Sequence, residues 1–254
     1  MRSMKEILGS MGETADPKVA ARAAELRARS ESRRLQGRKQ VSREQIEGKW
    51  HVWHQGCLDL FREKGLNPDP DAAFKLACFY ADYKRWHAGE HFGHHFDKPK
   101  GIFLYGPFGS GKTEVLKTLV HHLRETIEAK FLIRHSRSMI EDYCSLEGTL
   151  EYYRYTDHKS DVFIDDVGIE SAGLRYGIPW TIGDYLQDRY DRCSEFGREG
   201  RKILFTTLVS SNFTSPKEIE GKYGARTLSV LVDICDFVPY IRKDRRLERL
   251  ECRD

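Results

Sequence analysis

Residues 101–120 read GIFLYGPFGSGKTEVLKTLV, and this stretch decides the fold of the chain. The apolar run at residues 102–105 predicts a strand, and the glycine-rich stretch after it predicts a tight loop. Apolar residues at helical spacing from Val115 onward predict a helix. Residues 106–113 match the pattern G-x-x-x-x-G-K-[ST] at every fixed position. The stretch therefore predicts a strand–loop–helix unit at the start of a parallel α/β domain.

Each fixed position of this loop has a chemical reason. The glycines let backbone N–H groups face phosphate oxygens, Lys112 reaches the β- and γ-phosphates, and the Thr113 hydroxyl binds Mg²⁺. The N-terminus of the following helix adds a partial positive charge. A loop that only turns the chain has no use for a lysine and a threonine here, so we predict a nucleoside-triphosphate site. Its predicted cofactor-binding residues are Gly106, Pro107, Phe108, Gly109, Ser110, Gly111, Lys112, Thr113 and Glu114.

A second informative stretch is DVFIDD at residues 161–166, an apolar strand that ends in two carboxylates. Asp165 follows Lys112 by 53 residues, which leaves room for a helix, a strand and a second helix. This is the Walker B arrangement, in which Asp165 helps to hold Mg²⁺. Asp166 would then orient and polarise the attacking water. A strand ending in a polar turn is the alternative, and the phosphate-binding loop disfavours it.

A third stretch, RKILFTT at residues 201–207, predicts a strand ending in hydroxyls beside the Walker B strand. A polar residue at the end of such a strand can sense the γ-phosphate. Thr207 and Asn212 are both candidates for that role, and ordinary turn chemistry is the alternative for each.

The predicted fold class is α/β, a P-loop NTPase core with a five-stranded parallel sheet. Strands are expected near residues 102, 131, 162, 203 and 237, with helices between them. One strand is expected between the two strands that carry the Walker motifs. We divide the chain into a basic, helix-prone segment at 1–48, a helical region at 49–97 and the ATPase domain at 98–254. Aromatic residues at helical spacing in the middle region favour a packed core over a base-stacking platform.

The amino-acid composition disfavours several other classes of protein. The chain has 254 residues, of which 39% are hydrophobic and 32% charged, with a mean hydropathy of -0.61. It contains no apolar run long enough for a membrane helix and no apolar signal segment, so we expect a cytoplasmic protein without membrane contact. Six scattered cysteines without a C-x-x-C motif disfavour a disulfide framework or a zinc ribbon. Histidines 87, 91, 94 and 95 are interpreted as polar linker residues in preference to a metal site.

Charge is uneven along the chain although the net charge is only +3. Residues 17–45 contain nine lysines and arginines against three glutamates. Such a segment is either a solvated helix face or a contact surface for nucleic acid or an acidic partner.

Four stretches together resemble the DnaC/IstB-type AAA+ ATPases, which include replicative helicase loaders and the ATPase helpers of transposases. They are GIFLYGPFGSGKTEVLKTL, VFIDDVGIES, ILFTTLVSSNFTSPKEIEGKYGAR and KDRR. The resemblance covers roughly residues 98–250. Its more specific marks are DDVG at 165–168 followed by Glu170, and YGAR at 223–226 leading into Leu228 and Ser229. The short stretch after the last strand implies that the helical lid of larger AAA+ proteins is absent.

The resemblance implies roles for several residues. Asn212 is similar to the family's sensor-1 asparagine, although residues 206–211 before it look like an insertion. Arg246 stands where the family places its sensor-2 arginine. Val230 occupies the position of the family's inter-subunit arginine finger. Arg226, the preceding arginine of the motif, is then the remaining candidate for that role.

The resemblance further implies ATP and Mg²⁺ as cofactors, single-stranded DNA as a ligand and nucleotide-dependent assembly into a homo-oligomer. The first hypothesis is a helicase loader, with its N-terminal region binding a replicative helicase. A transposition regulator that acts with a transposase is the second. A nucleotide-gated DNA-binding module with weak hydrolysis is the third, motivated by Val230. A small-molecule kinase is disfavoured, because the stretch at 223–226 has no role in one.

Overall fold

The computed structural model describes residues 43–89, 98–144, 157, 159–175, 178–197 and 200–242. Those from Arg43 onward belong to one compact unit. The predicted basic segment lies almost wholly outside the described residues. The sensor-2 candidate Arg246 and three of the clustered histidines, at positions 91, 94 and 95, also lie outside them.

The elements follow the order expected for an α/β domain with a helical hairpin in front of it. The helices are α1 (Arg43–Glu63), α2 (Pro70–His87), α3 (Lys112–Ile127), α4 (Ser136–Cys144), α5 (Ile182–Cys193), α6 (Pro216–Tyr223) and α7 (Ala225–Ile234). The strands are β1 (Gly101–Tyr105), β2 (Phe131–His135), β3 (Asp161–Val167), β4 (Gly173–Arg175), β5 (Ile178–Trp180), β6 (Ser194–Gly197), β7 (Gly200–Ile203), β8 (Thr207–Ser211) and β9 (Cys235–Pro239). No helix within these ranges combines the length and the apolarity needed to cross a bilayer.

Five strands form the central sheet in the order β2-β3-β8-β1-β9, and every neighbouring pair is parallel. The predicted α/β class with a five-stranded parallel sheet is confirmed. Strand β8 lies between the two motif-bearing strands β1 and β3, as expected. Because the strands are parallel, their carboxyl ends meet at one edge of the sheet, where ligands bind in open α/β folds.

The predicted sheet strand near residue 203 is wrong. Residues Gly200–Ile203 instead pair antiparallel with Ser194–Gly197 in a separate hairpin, and the sheet strand is Thr207–Ser211. All five residues of that strand are buried. Its serines made it look like a loop, but they hydrogen-bond inside the sheet, so burial there costs little. The apparent insertion before Asn212 is therefore the strand itself.

The α1–α2 hairpin shares a hydrophobic core with the sheet. Buried side chains of the hairpin, among them Phe61 and Tyr83, belong to the same cluster as Leu104 of β1 and Leu116 of α3. Each such side chain contributes about 1.5–3 kcal/mol when buried. The hairpin and the sheet therefore pack as parts of one unit, and the other face of the sheet carries a second cluster around α5 and α7.

Candidate nucleotide site

A cleft of ≈ 800 Å³ lies at the carboxyl edge of the sheet. It joins the phosphate-binding loop to the ends of β2, β3 and β8 and to the turn between α1 and α2. Its lining residues are Lys64, Leu66, Phe108, Gly109, Gly111, Lys112, Thr113, Glu114, Lys117, His135, Asp165, Asp166 and Asn212.

The loop after β1 is shaped by glycine. Gly106 has a φ of 152°, and a Cβ there would lie 2.3 Å from the carbonyl oxygen of Tyr240, so only glycine fits. Gly111 has a φ of 96° and caps α3 at its N-terminus without a side-chain bond. The first N–H groups of the helix therefore remain available to an anion.

Backbone carbonyl groups of the phosphate-binding loop hold the ammonium group of Lys112. Its Nζ donates to the carbonyl oxygens of Gly106 (2.9 Å) and Pro107 (2.7 Å), and it lies 3.2 Å from Ser110 Oγ. Burial lowers the pKa of Lys112 to about 8, against the opposing pull of Asp166 and Asp165. The ammonium group is therefore pre-positioned at the loop and poorly solvated, which favours its exchange onto phosphate oxygens.

Asp165 connects α3, the helix after the phosphate-binding loop, to the central sheet. Its Oδ1 accepts from Thr113 Oγ1 (2.7 Å) and Ser210 Oγ (2.6 Å), and its Oδ2 lies 3.0 Å from Lys117 Nζ. Burial alone would raise the pKa of Asp165, but the hydrogen bonds from these three residues and the charge of Lys117 outweigh it and lower the pKa. Asp165 is therefore an ionised carboxylate next to a hydroxyl.

Asp166 is placed by a backbone irregularity. The β3–β8 register shifts between Ile164 and Val167, and Asp166 adopts a left-handed φ of 58°. A bulge of this kind redirects a side chain, and aspartate tolerates the left-handed region better than most residues. The carboxylate consequently lies between Asn212 Nδ2, 3.2 Å from Oδ1, and His135 Nε2, 3.5 Å from Oδ2.

The residues at this edge fit a divalent metal ion. Ligand atoms of His135, Asp165 and Asp166 lie within 4.8 Å of one another, and Thr113 Oγ1 is hydrogen-bonded to Asp165. Hydroxyl and carboxylate oxygens are the ligands that Mg²⁺ prefers. The predicted pair of Thr113 and Asp165 therefore has the donor chemistry and the proximity that Mg²⁺ requires.

The structure separates the two sensor candidates. Asn212 lines the cleft beside Asp166. Thr207 begins β8 at the other end of the strand, where its Oγ1 accepts from Arg189. Arg226 is exposed on α7 and does not line the cleft, and Val230 is 7% exposed in the core.

Several residues that line the cleft, or that contact a residue lining it, were missed in the sequence. Lys117 lies one helical turn after Thr113, a spacing that could have indicated it. Ser210 was hidden in the misassigned strand, and His135 ends β2 without a motif around it. Leu66 comes from the α1–α2 turn, which no sequence signal connects to the phosphate-binding loop.

Comparisons with known proteins support the predicted resemblance. No protein-family profile matches the chain. The replicative helicase loader DnaI of Bacillus subtilis (strain 168) is 29% identical over 132 residues, which are 50% of this chain and 37% of DnaI. The match thus spans well under half of that relative.

The chain is also similar to solved structures. A crystal structure of DnaI is 20% identical, superposes with a TM-score of 0.50, and is matched over 76% of this chain and 93% of that chain. A crystal structure of the DnaC helicase loader is 13% identical with a TM-score of 0.46, over 70% of this chain and 94% of that chain. The superposition on DnaI supports the P-loop fold, and the sequence match relates the chain to helicase loaders.

Proposed function

We propose that the chain binds and hydrolyses ATP with Mg²⁺ to drive assembly with a replicative helicase on DNA, and its sequence match to the helicase loader DnaI supports this proposal. The observation that carries the proposal is the convergence of four groups in one cleft. Lys112, the Thr113–Asp165 pair, Asp166 and Asn212 come from the start of α3, from β3 and from the residue after β8.

Each group has a separate task in the proposed hydrolysis. Lys112 exchanges its carbonyl partners for the β- and γ-phosphate oxygens, and the glycine-shaped loop supplies N–H donors around them. Thr113 and Asp165 hold Mg²⁺, which neutralises phosphate charge when it is bound. Asp166 accepts a hydrogen bond from the attacking water, and Asn212 holds that carboxylate in place while facing the γ-phosphate.

Hydrolysis itself is tested first. Purified protein should release phosphate from ATP in Mg²⁺, and Lys112→Ala should abolish nucleotide binding and turnover together. Lys130→Ala is the matched control, because Lys130 is an exposed lysine beyond the far end of α3. Equal ATP binding by the wild type and Lys112→Ala would contradict the assignment of the loop.

Assembly with a helicase is tested separately. The cognate hexameric helicase should be retained by the full chain in ATP, and loss of residues 1–42 should reduce that retention. The truncated protein begins at Arg43, because the α1–α2 hairpin is packed into the core of the ATPase domain. Unchanged retention by the shortened chain would exclude a helicase-binding role for residues 1–42. Capture of a transposase encoded beside this gene, in place of the helicase, would favour the transposition regulator.

A DNA-binding module with weak hydrolysis is the second candidate, because Val230 is buried where the family's arginine finger is expected. Such a finger is worth about 10³–10⁵ in rate, so its loss would leave binding intact and slow turnover. Turnover faster than about one ATP per minute with single-stranded DNA would exclude this candidate.

A further inference from the structure

One lysine at the cleft has no role in the proposed hydrolysis. Lys117 follows Thr113 by four residues on α3, so both side chains lie on the same face of the helix. The two oxygens of Asp165 are divided between different partners. The hydroxyls of Thr113 and Ser210 bind Oδ1, whereas Lys117 Nζ lies 3.0 Å from Oδ2.

This arrangement places a positive charge beside the carboxylate that is assigned to Mg²⁺. The ammonium group and the metal ion require the same negative charge, and they repel each other at short range. We propose that Lys117 competes with Mg²⁺ for Asp165 and thereby sets the Mg²⁺ concentration at which the site is loaded with nucleotide. The inference rests on the proposed nucleotide site and adds a metal-tuning residue to it.

Lys117 has room to leave Asp165. Its side chain is 42% exposed, whereas Asp165 is 4% exposed. It also borders a second groove of ≈ 550 Å³ that runs between α1 and α3. The acidic residues of that groove are Glu63, Glu114 and Glu125. An ammonium group displaced from Asp165 therefore lies near other carboxylates. Because the Lys117 side chain is partly exposed, its displacement does not leave a buried ammonium group without a partner.

Lys112 differs from Lys117 in each of these respects. It is 4% exposed, and backbone carbonyls of the loop hold it. The two lysines therefore have different roles. Lys112 binds the phosphates, and Lys117 neutralises Asp165 until Mg²⁺ replaces it.

The test measures metal binding and not turnover. Full-length protein is mixed with a fluorescent, non-hydrolysable ATP analogue in EDTA, and free Mg²⁺ is raised stepwise. Bound analogue and melting temperature are followed in parallel, and the Mg²⁺ midpoint is read from each. Lys117→Met keeps most of the length of the side chain and removes its charge. Lys117→Arg keeps the charge, and Lys130→Met removes an exposed lysine beyond the far end of α3.

We expect Lys117→Met to lower the Mg²⁺ midpoint roughly three- to fivefold, the upper part of the range for a partly exposed ion pair. Lys117→Arg should stay within about twofold of the wild type, and Lys130→Met should not change the midpoint. Should Lys117→Met melt far below the wild type, Lys117→Gln replaces it in the same titration.

Two results would overturn the inference while leaving the proposed function intact. One is an unchanged or raised midpoint in a folded, analogue-binding Lys117→Met protein. The other is loss of analogue binding by Lys117→Met at saturating Mg²⁺, where the wild type binds, which would assign Lys117 to the phosphates. If the wild type binds no analogue at any Mg²⁺ concentration, the proposed function fails together with the inference.

Discussion

The backbone conformation of Asp166 limits which substitutions can test its role. Its φ of 58° lies in the left-handed region, which costs most L-residues about 1–2 kcal/mol and favours asparagine and aspartate. A substitution that ignores this conformation would change stability and chemistry together. Asparagine separates the two effects.

We predict that Asp166→Asn lowers ATP turnover about 10²–10⁴-fold, because the group that polarises the water loses its charge. ATP affinity should change less than fivefold, since Lys112 and the loop backbone are untouched. Melting should stay close to the wild type, whereas Asp166→Ala should melt earlier. Turnover is measured by phosphate release and affinity with a fluorescent analogue. Near-normal turnover in Asp166→Asn would remove Asp166 from the mechanism.

The burial of Val230 can also be tested by substitution. The residue is 7% exposed and belongs to the cluster that holds Leu231 and Ile234 of the same helix. We predict that Val230→Arg lowers the free energy of unfolding by roughly 3 kcal/mol, because a charged group enters an apolar core. The exposed neighbour provides the control, since Ser229→Arg should change it by less than about 0.5 kcal/mol. Urea unfolding measures both, and equal midpoints for the two variants would contradict the burial of Val230.

Among the elements, β3 has functional groups at both ends. Its carboxyl end supplies Asp165 and Asp166, while Asp161 at its amino end forms a buried ion pair with Lys98, their side chains being 5% and 4% exposed. Asp161 also accepts hydrogen bonds from Tyr83 Oη and from the backbone N–H of Thr206, 2.7 Å from Oδ1. It thus ties α2, the segment before β1 and the segment before β8 to one strand.

We predict that Asp161→Asn destabilises the protein by about 3–5 kcal/mol, because Lys98 is left as a buried charge without its partner. The exposed pair of Asp59 and Arg62, with side chains 48% and 68% exposed, is the control. Asp59→Asn should cost less than about 1 kcal/mol. Chemical denaturation compares the two, and a similar small loss for both would show that the buried pair is not needed.

Sequence patterns predicted β1, β3 and the loop correctly because each has a strong local signal. An apolar run ends there in glycines or in paired carboxylates. Strand β8 was misplaced because Ser210 and Ser211 look polar in sequence. In the structure they donate to Asp165 and to the carbonyl oxygen of Val167, so their polarity is satisfied by partners 44 and 45 residues away. Lys117 and His135 were missed for the same reason, since only tertiary contact gives them a function.

At the scale of the whole molecule, one predicted site residue lies away from the cleft of its own chain. Arg226 is exposed on α7 and does not line the cleft that holds Lys112 and Asp166. An arginine that stabilises phosphoryl transfer must reach the γ-phosphate. If Arg226 contributes to hydrolysis, it therefore acts on the cleft of a neighbouring copy, and the active site is completed only by assembly.

Mixing two inactive variants tests this directly. Arg226→Ala keeps its own cleft but offers no arginine, and Asp166→Asn offers the arginine but cannot hydrolyse. Each should be slow alone, whereas an equimolar mixture should regain up to about a quarter of wild-type turnover, because one interface in four pairs an intact cleft with an intact arginine. Lys217→Ala, which removes another exposed cation, should remain active alone. A mixture no faster than the average of its components would mean that Arg226 does not act between subunits.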